Sequence, residues 1–113
     1  MSRLVRLNVG GTIFLTRHST LAHSNSFFSA LLSSTEPEDE YFVDRDPAHF
    51  RHILNFMRGA VTFPRTSVEL DELLQEADFF SLPKLVLQVR RHREICRQTS
   101  TEHQLSIIAA KLA

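Results

Sequence analysis

The sequence predicts a small α+β domain in which a three-stranded sheet packs against a cluster of helices. Strand-like runs of β-branched and aromatic residues occur only before residue 17 and again near residue 42. From residue 46 onward, apolar residues recur at helical spacing. Because strands and helices do not alternate along the chain, a parallel doubly wound sheet is not expected.

The first predicted element is a β-hairpin in the stretch LNVGGTIFLT, residues 7–16. A phosphate-binding loop would need a third glycine or a Gly-Lys-Ser/Thr ending, followed by a helix. Here Gly10 and Gly11 lead into a second strand-like run, so they form a two-residue turn at positive φ. One face of the hairpin should then carry these pairs: Val9 with Thr12, Leu7 with Phe14 and Val5 with Thr16.

The opposite face of the hairpin has a mixed composition. It places the polar Arg6 and Asn8 beside the apolar Ile13 and Leu15. Such a face could be covered in part by a helix or a loop of the same chain. It could equally be a surface that contacts another protein, and the pattern alone does not decide between the two.

The middle of the chain predicts two helices separated by a loop and a third strand. Ser26 is a plausible N-cap for a helix in SFFSALLSS. An acidic loop over residues 36–40 and the short strand YFVD follow. Asp46 can cap the next helix, with Pro47 at its first position and Gly59 at its left-handed end.

The last part of the chain predicts three more helices. Ser67 can cap the first of them, and Ser81 with Pro83 can open the second. The stretch QTSTE interrupts the pattern, and Thr101 can cap the last helix. The predicted core contains these apolar residues: Leu7, Val9, Phe14, Phe28, Leu31, Ile53, Leu54, Leu73, Leu74 and Leu85.

Composition excludes several classes of function. The 113 residues fit one domain, and 13 basic residues balance 13 acidic ones, so no overall field attracts nucleic acid or an anionic membrane. The single Cys96 excludes an internal disulfide and a zinc site built from several cysteines of one chain. No stretch has the length of a signal segment or a membrane span, so we expect a cytoplasmic protein, with the nucleus as the other compartment, and no direct membrane insertion.

No constellation of residues predicts an enzyme or a cofactor site. His49 and His52 lie three apart on a predicted helix, but no third metal ligand is evident. Cys96 would need a positioned base, and nothing orients His92 for that role. The basic run over residues 90–93 has no interleaved aromatic residues, so a solvated face or an intersubunit surface is favoured over nucleic-acid binding.

The string FVDRDP raises the question of charge pairing between a strand and a helix. Asp44 and Arg45 have no evident local role there, and buried or half-buried charges need partners. In a head-to-tail ring, charges of opposite sign can meet at every subunit boundary. We therefore predict self-association through the polar groups of this junction and of the hairpin: Arg6, Asn8, Arg17, Asp44 and Arg45.

Four strings together closely resemble the BTB/POZ fold: LNVGGTIFLT with Thr20 and Leu21, SFF, FVDRDPAHFRHILNFMRG and LLQEADFFSLPKL. Within that fold they resemble the potassium-channel tetramerisation branch, over about Leu4 to Arg91. The resemblance implies a BTB/POZ domain at residues 3–97, followed by a helical extension at 98–113. It also implies a ring of identical subunits that acts through protein contacts and has no catalytic activity.

This branch contains two functional groups. One is the cytoplasmic subunit-assembly domain of voltage-gated potassium channels, which forms tetramers. The other is the soluble channel-tetramerisation-domain-containing group, of which many members form pentamers and several are substrate adaptors of cullin-RING ubiquitin ligases. FVDRDP and EADFF are more similar to the soluble group, and with Cys96 alone the intersubunit zinc site of some channels is not expected.

The resemblance therefore implies a homo-oligomerisation and protein-interaction module, with a cullin scaffold as one partner. A channel assembly domain is the alternative, and a nucleic-acid-binding domain is the third reading. In the adaptors that this chain resembles, the cullin docks near the Ala-Asp-Phe-Phe string and the loop before the third strand. The corresponding partner-binding residues here are Glu36, Tyr41, Phe79 and Phe80, although the acidic loop is shorter than is usual in that group.

Overall fold

The computed structural model describes residues 3–22, 26–34 and 36–112, and it places side chains as far as Gln98. The strands are β1 (Leu4–Val9), β2 (Thr12–Arg17) and β3 (Glu40–Val43). The helices are α1 (His18–Ala22), α2 (Phe27–Ser34), α3 (Phe50–Met57), α4 (Ser67–Phe79) and α5 (Pro83–Leu112), with a 3₁₀ turn at Pro47–His49.

The three strands form one mixed sheet in the order β2-β1-β3. Strand β1 pairs antiparallel with β2 in the predicted register, in which Leu7 lies opposite Phe14. Strand β3 pairs parallel with β1 on its other side. This small sheet with several helices confirms the predicted α+β class.

Both turn glycines have the positive φ that the sequence predicts, 55° at Gly10 and 102° at Gly11. The Gly11 N–H donates to Oδ1 of Asn8 at 2.9 Å, which ties the turn to β1. A Cβ atom at Gly10 would lie 2.4 Å from the carbonyl oxygen of Arg45. Gly10 therefore also allows the hairpin to pack directly on the junction between β3 and the 3₁₀ turn.

The core lies between the inner face of the sheet and the helices. Among the predicted core residues, Phe14, Leu31 and Leu74 are half-buried and pack against the core, and the others are buried. Aromatic rings connect the layers, since the Phe28 ring stacks on Phe80 at 4.9 Å and Phe50 meets Phe80 edge-on at 5.6 Å. These offset and T-shaped geometries are the favoured arrangements of aromatic pairs.

Two details of the helices differ from the sequence prediction, and a third agrees with it. The Asp46 side chain caps as predicted, accepting from the Ala48 N–H at 2.9 Å, but it opens a 3₁₀ turn that precedes α3. The N-cap of α4 is Thr66 and not Ser67, because the Thr66 hydroxyl accepts from the Glu69 N–H. Gly59 has φ of 92°, as the predicted left-handed end of α3 requires.

Helix α5 runs without a break through the stretch QTSTE, so the predicted interruption and the separate last helix are wrong. After Pro83 the sequence contains neither proline nor glycine, and Ser and Thr cost little enough in a helix for propagation to continue. The start of α5 at Pro83 agrees with the prediction. Ser81, at φ of 57°, reverses the chain between α4 and α5. The domain boundary predicted after residue 97 falls inside α5.

Candidate protein-interaction surfaces

Arg45 has a partner within the chain, which the sequence alone did not indicate. Its Nε donates to Oε1 of Glu76 at 3.3 Å, and its Nη2 donates to Oε2 of the same carboxylate. The guanidinium also lies over the Phe79 ring, 4.1 Å from the ring centroid. The hydrogen bond with Glu76 raises the pKa of Arg45, against the opposing effect of burial. The inference that Arg45 lacks a local role is thereby corrected.

The partners of the junction lie on one face of α4. Glu72, Glu76 and Phe79 follow at spacings of four and three, which places them above one another on the helix. His49, in the 3₁₀ turn, contacts the first of them through Nε2, 3.0 Å from Oε1 of Glu72. Acidic residues at this spacing beside an apolar stripe were the sequence signal for this contact.

His49 and His52 occupy different environments and do not face a common site. Nδ1 of His52 lies 2.7 Å from Oγ1 of Thr62, which also accepts from Nδ2 of Asn55 at 3.3 Å. Burial, together with the charge of Arg51, lowers the pKa of His52. Among the residues that the structure describes, no group of His, Cys, Asp or Glu side chains could hold a metal ion.

One face of the sheet is not covered by the described part of the chain. Leu4, Ile13, Leu15 and Phe42 expose between 48% and 63% of their surface. We call this surface the outer sheet face; by register it carries Leu4, Arg6, Asn8, Ile13, Leu15, Arg17, Glu40 and Phe42. The sequence left two explanations for the mixed composition of this face. Partial cover by a helix or a loop, the first of them, is not found within residues 3–22, 26–34 and 36–98.

The predicted self-association residues divide into two kinds. Arg6, Arg17 and Asp44 are exposed. The Asp44 carboxylate makes no hydrogen bond or ion pair within residues 3–22, 26–34 and 36–98. Asn8 and Arg45 instead have intrachain roles, in the turn and in the contact with α4 respectively. The structure thus brings Arg6, Arg17 and Asn8 together on the outer sheet face and places Asp44 beyond the end of β3.

Two of the four predicted partner-binding residues are part of the core, which corrects their assignment. Phe80 is fully buried, and Tyr41 is buried with its hydroxyl oxygen accepting from the Glu38 N–H at 3.1 Å. Both side chains are needed to fill the space between sheet and helices. Glu36 is exposed, and Phe79 exposes 42% of its surface while its ring packs on Phe27 at 5.4 Å.

Comparison with known proteins relates this chain to one domain family. The sequence model of the BTB/POZ domain matches residues 5–89. The human BTB/POZ domain-containing protein KCTD17 is 37% identical over 106 residues, which cover 87% of this chain and 33% of that protein. The human BTB/POZ domain-containing protein KCTD5 is 35% identical over 98 residues, covering 80% of this chain and 42% of that protein.

A third relative carries a functional description in its name. The zebrafish (Danio rerio) protein called BTB/POZ domain-containing adapter for CUL3-mediated RhoA degradation protein 1 is 35% identical over 106 residues, covering 85% of this chain and 32% of that protein. The chain thus spans between about a third and two-fifths of the length of these relatives. In the described residues, no helix combines the length and the apolar character that crossing a bilayer requires.

Proposed function

Because the chain belongs to the BTB/POZ domain family, in its potassium-channel tetramerisation branch, we propose that it is a self-associating protein-interaction module. The observation that carries this proposal is the uncovered outer sheet face. Several large apolar side chains exposed on one face of a monomer mark an interaction site. Here the apolar group is interspersed with arginines, as expected for a surface that meets a polar partner face.

The occupant that we propose for the outer sheet face is a second copy of the chain. A ring uses two different surfaces of each subunit, one of which contacts the other surface of its neighbour. Arg6 and Arg17 supply positive charge on the outer sheet face, and the exposed Asp44 lies outside it, past the end of β3. We infer that these three charges contribute to the subunit boundary, while Asn8 and Arg45 hold the backbone in place behind it.

The test is the molar mass of the purified chain in solution, measured by light scattering. The proposal expects a closed oligomer that dissociates when Leu15 and Phe42 are both replaced by threonine, which retains strand propensity but removes the apolar contact. Val68→Thr is the matched control, since Val68 is 67% exposed on α4 and away from the sheet. A monomeric parent chain, or a double variant that assembles like the parent, would refute the proposal.

We further infer a second contact, to a cullin scaffold, and one observation favours it. Phe79 is a large aromatic residue that remains 42% exposed although Phe27 and Arg45 hold its ring in place. Preorganised aromatic anchors carry much of the energy at protein interfaces. The zebrafish relative is named as an adapter for CUL3-mediated degradation, which supports the same partner class for this chain. The exposed acidic loop around Glu36 would lie at the rim.

Calorimetric titration with the N-terminal domain of a CUL3-type cullin tests this second contact. We expect binding, and a loss of affinity of about tenfold or more for Phe79→Ala, as for an aromatic hot spot. Val68→Ala should bind like the parent chain, because it truncates an even more exposed apolar side chain elsewhere on α4. An absence of heat and of co-elution at roughly tens of micromolar would end the cullin proposal without affecting self-association.

A further inference from the structure

An arginine-rich groove lies between the start of α4 and the middle of α5, on residues that neither proposed contact uses. Its volume is about 480 Å³, in the range of ligand-binding clefts, and it is open to solvent. We call it the arginine groove; its polar lining consists of Arg65, Ser67, Asp71, Arg93, Cys96 and Arg97. The buried Leu70 forms part of its floor.

The charge of the groove is positive although the whole chain is neutral. Arg65 comes from the loop before α4, and Arg93 and Arg97 lie one helical turn apart on α5. Among the lining side chains that the structure places, Asp71 is the single carboxylate beside three guanidinium groups. Arg97 pairs with Glu94 at 3.8 Å and makes a further interaction, so Arg65 and Arg93 are the arginines that supply the capacity to bind an anion.

The arginines retain capacity to bind an anion. Arg93 donates through Nη1 to Asp71, which holds its side chain in the groove, and an arginine has five N–H donors in all. Arg65 makes no hydrogen bond or ion pair with any residue in the part of the chain for which side chains are placed. Arg65 is therefore available, and Arg93 beside it is already oriented. Guanidinium groups arranged in this way can each donate two parallel hydrogen bonds to phosphate oxygens.

The start of α4 adds to the positive electrostatic potential of the arginine groove. Its first residue, Ser67, lies in the lining, so the hydroxyl group of Ser67 and the positive end of the helix dipole are at the groove. Thr66 caps the Glu69 N–H at 3.1 Å and does not remove the dipole itself. This contribution reinforces the arginines, which are the basis of the inference.

We propose that the arginine groove binds a phosphorylated segment of a partner protein. A phosphoserine carries nearly two negative charges at neutral pH, and guanidinium groups outnumber carboxylates among the lining side chains that the structure places. Arginine clusters recognise such groups through bidentate, charge-assisted hydrogen bonds. A nucleic acid fits less well, since the placed side chains of the lining include no aromatic ring on which a base could stack.

The probe is a short, fluorescently labelled peptide of alanine and glycine with one central phosphoserine, titrated into the full chain and followed by anisotropy. We expect saturable binding that weakens with added salt and weakens roughly tenfold to a hundredfold on Arg65→Gln, the range for losing a charge-assisted hydrogen bond. Arg91→Gln is the matched control, because Arg91 is an exposed arginine on α5 outside the lining. The unphosphorylated peptide should not bind.

Cys96, the single cysteine of the chain, reports where the peptide lies. Its exposed thiol is part of the lining, so bound phosphopeptide should slow its alkylation, and should no longer do so in Arg65→Gln. Three results would overturn the proposal: no binding of the phosphopeptide, equal loss in Arg65→Gln and Arg91→Gln, or binding without protection of Cys96. Tighter binding of a single-stranded oligonucleotide than of the phosphopeptide would also overturn it, in favour of nucleic acid. None of these results depends on whether the chain forms rings.

Discussion

Arg45 connects three parts of the molecule through one guanidinium group. It follows β3 in the chain, pairs with Glu76 of α4 and covers the ring of Phe79. Its backbone carbonyl oxygen would lie 2.4 Å from a Cβ atom at position 10, so the backbone here also requires Gly10 in the hairpin turn. Because Glu76 is nearly buried, its carboxylate requires this partner.

Replacing Arg45 with alanine should therefore destabilise the subunit. We expect a loss of about 1–3 kcal/mol in the free energy of unfolding, the cost of leaving a nearly buried polar group unsatisfied. Urea unfolding followed by circular dichroism measures it. Arg91→Ala removes an exposed arginine from α5 and should leave the midpoint almost unchanged. Equal midpoints for Arg45→Ala and the parent chain would contradict the structural role given to this pair.

His52 predicts a dependence of stability on pH. Burial lowers its pKa below the ordinary value of 6.5, so the folded state favours the neutral ring. Neutral His52 therefore makes its full contribution to the free energy of unfolding at pH values above 6.5. That contribution is lost as the pH falls from 6.5 towards the lower pKa of the folded state, because the unfolded chain binds the proton more readily. In His52→Gln, which can still hydrogen-bond Thr62, the fall in unfolding free energy between about pH 7.5 and pH 5.5 should be smaller than in the parent chain. An identical pH dependence in both proteins would show that His52 is not the group responsible.

Helix α3 contributes to stability through its buried face. Phe50, Ile53 and Leu54 are almost completely buried, and the helix ends at Gly59 in the conformation that glycine adopts without strain. The stripe packs α3 against the aromatic rings of the core. It also fixes the position of the 3₁₀ turn that precedes it, and hence of His49 opposite α4.

Truncating Leu54 to alanine should cost about 2–5 kcal/mol, the range for deleting a buried leucine side chain. Leu87→Ala makes the same chemical change at a site on α5 that is 48% exposed, and should cost much less. Thermal and urea unfolding of both variants measure the difference. If the two variants lose equal stability, the buried stripe of α3 does not have the role described.

At the scale of the whole molecule, the net charge is zero but the charged side chains are distributed unevenly over the surface. The exposed acidic loop over residues 36–40 and the arginine groove lie on different elements, and the outer sheet face combines arginines with apolar residues. A subunit with several distinct surfaces of this kind suits contacts between unlike faces, as in a ring. The same surfaces leave room for partners other than a second copy.

Reversing the charge of Asp44 tests the proposed subunit boundary. Asp44 is exposed, and within the described residues its carboxylate makes no hydrogen bond or ion pair and interacts with Arg45 only through its charge, so Asp44→Arg should leave the circular dichroism spectrum intact. Sedimentation should nevertheless show smaller particles than the parent chain, since a like charge would face the arginines of the neighbour. Asp78→Arg reverses another exposed charge, at the end of α4, and is expected to assemble normally. Full-size particles with Asp44→Arg would remove Asp44 from the boundary.

Local patterns in the sequence determined most of the elements. The Gly-Gly turn, the hairpin register, the Asp46 cap, the start of α5 at Pro83 and the buried stripe of α3 follow from interactions between residues close in the chain. Such short-range preferences can be predicted without a structure because the residues that satisfy them are neighbours in the sequence. Two predictions from local signals were wrong, since the cap of α4 lies one residue before Ser67 and α5 has no break.

Only the tertiary structure decided which charged and aromatic residues are available to a partner. Arg45 meets Glu76 from 31 residues away, and no spacing rule links the two. Phe79 and Phe80 are adjacent in sequence and point to different sides of the end of α4. Phe79 is therefore half-exposed, and Phe80 is buried. The arginine groove likewise joins Arg65 to α5 by packing alone. Burial and long-range pairing depend on how whole elements pack, so they are properties of the folded chain and not of any segment within it.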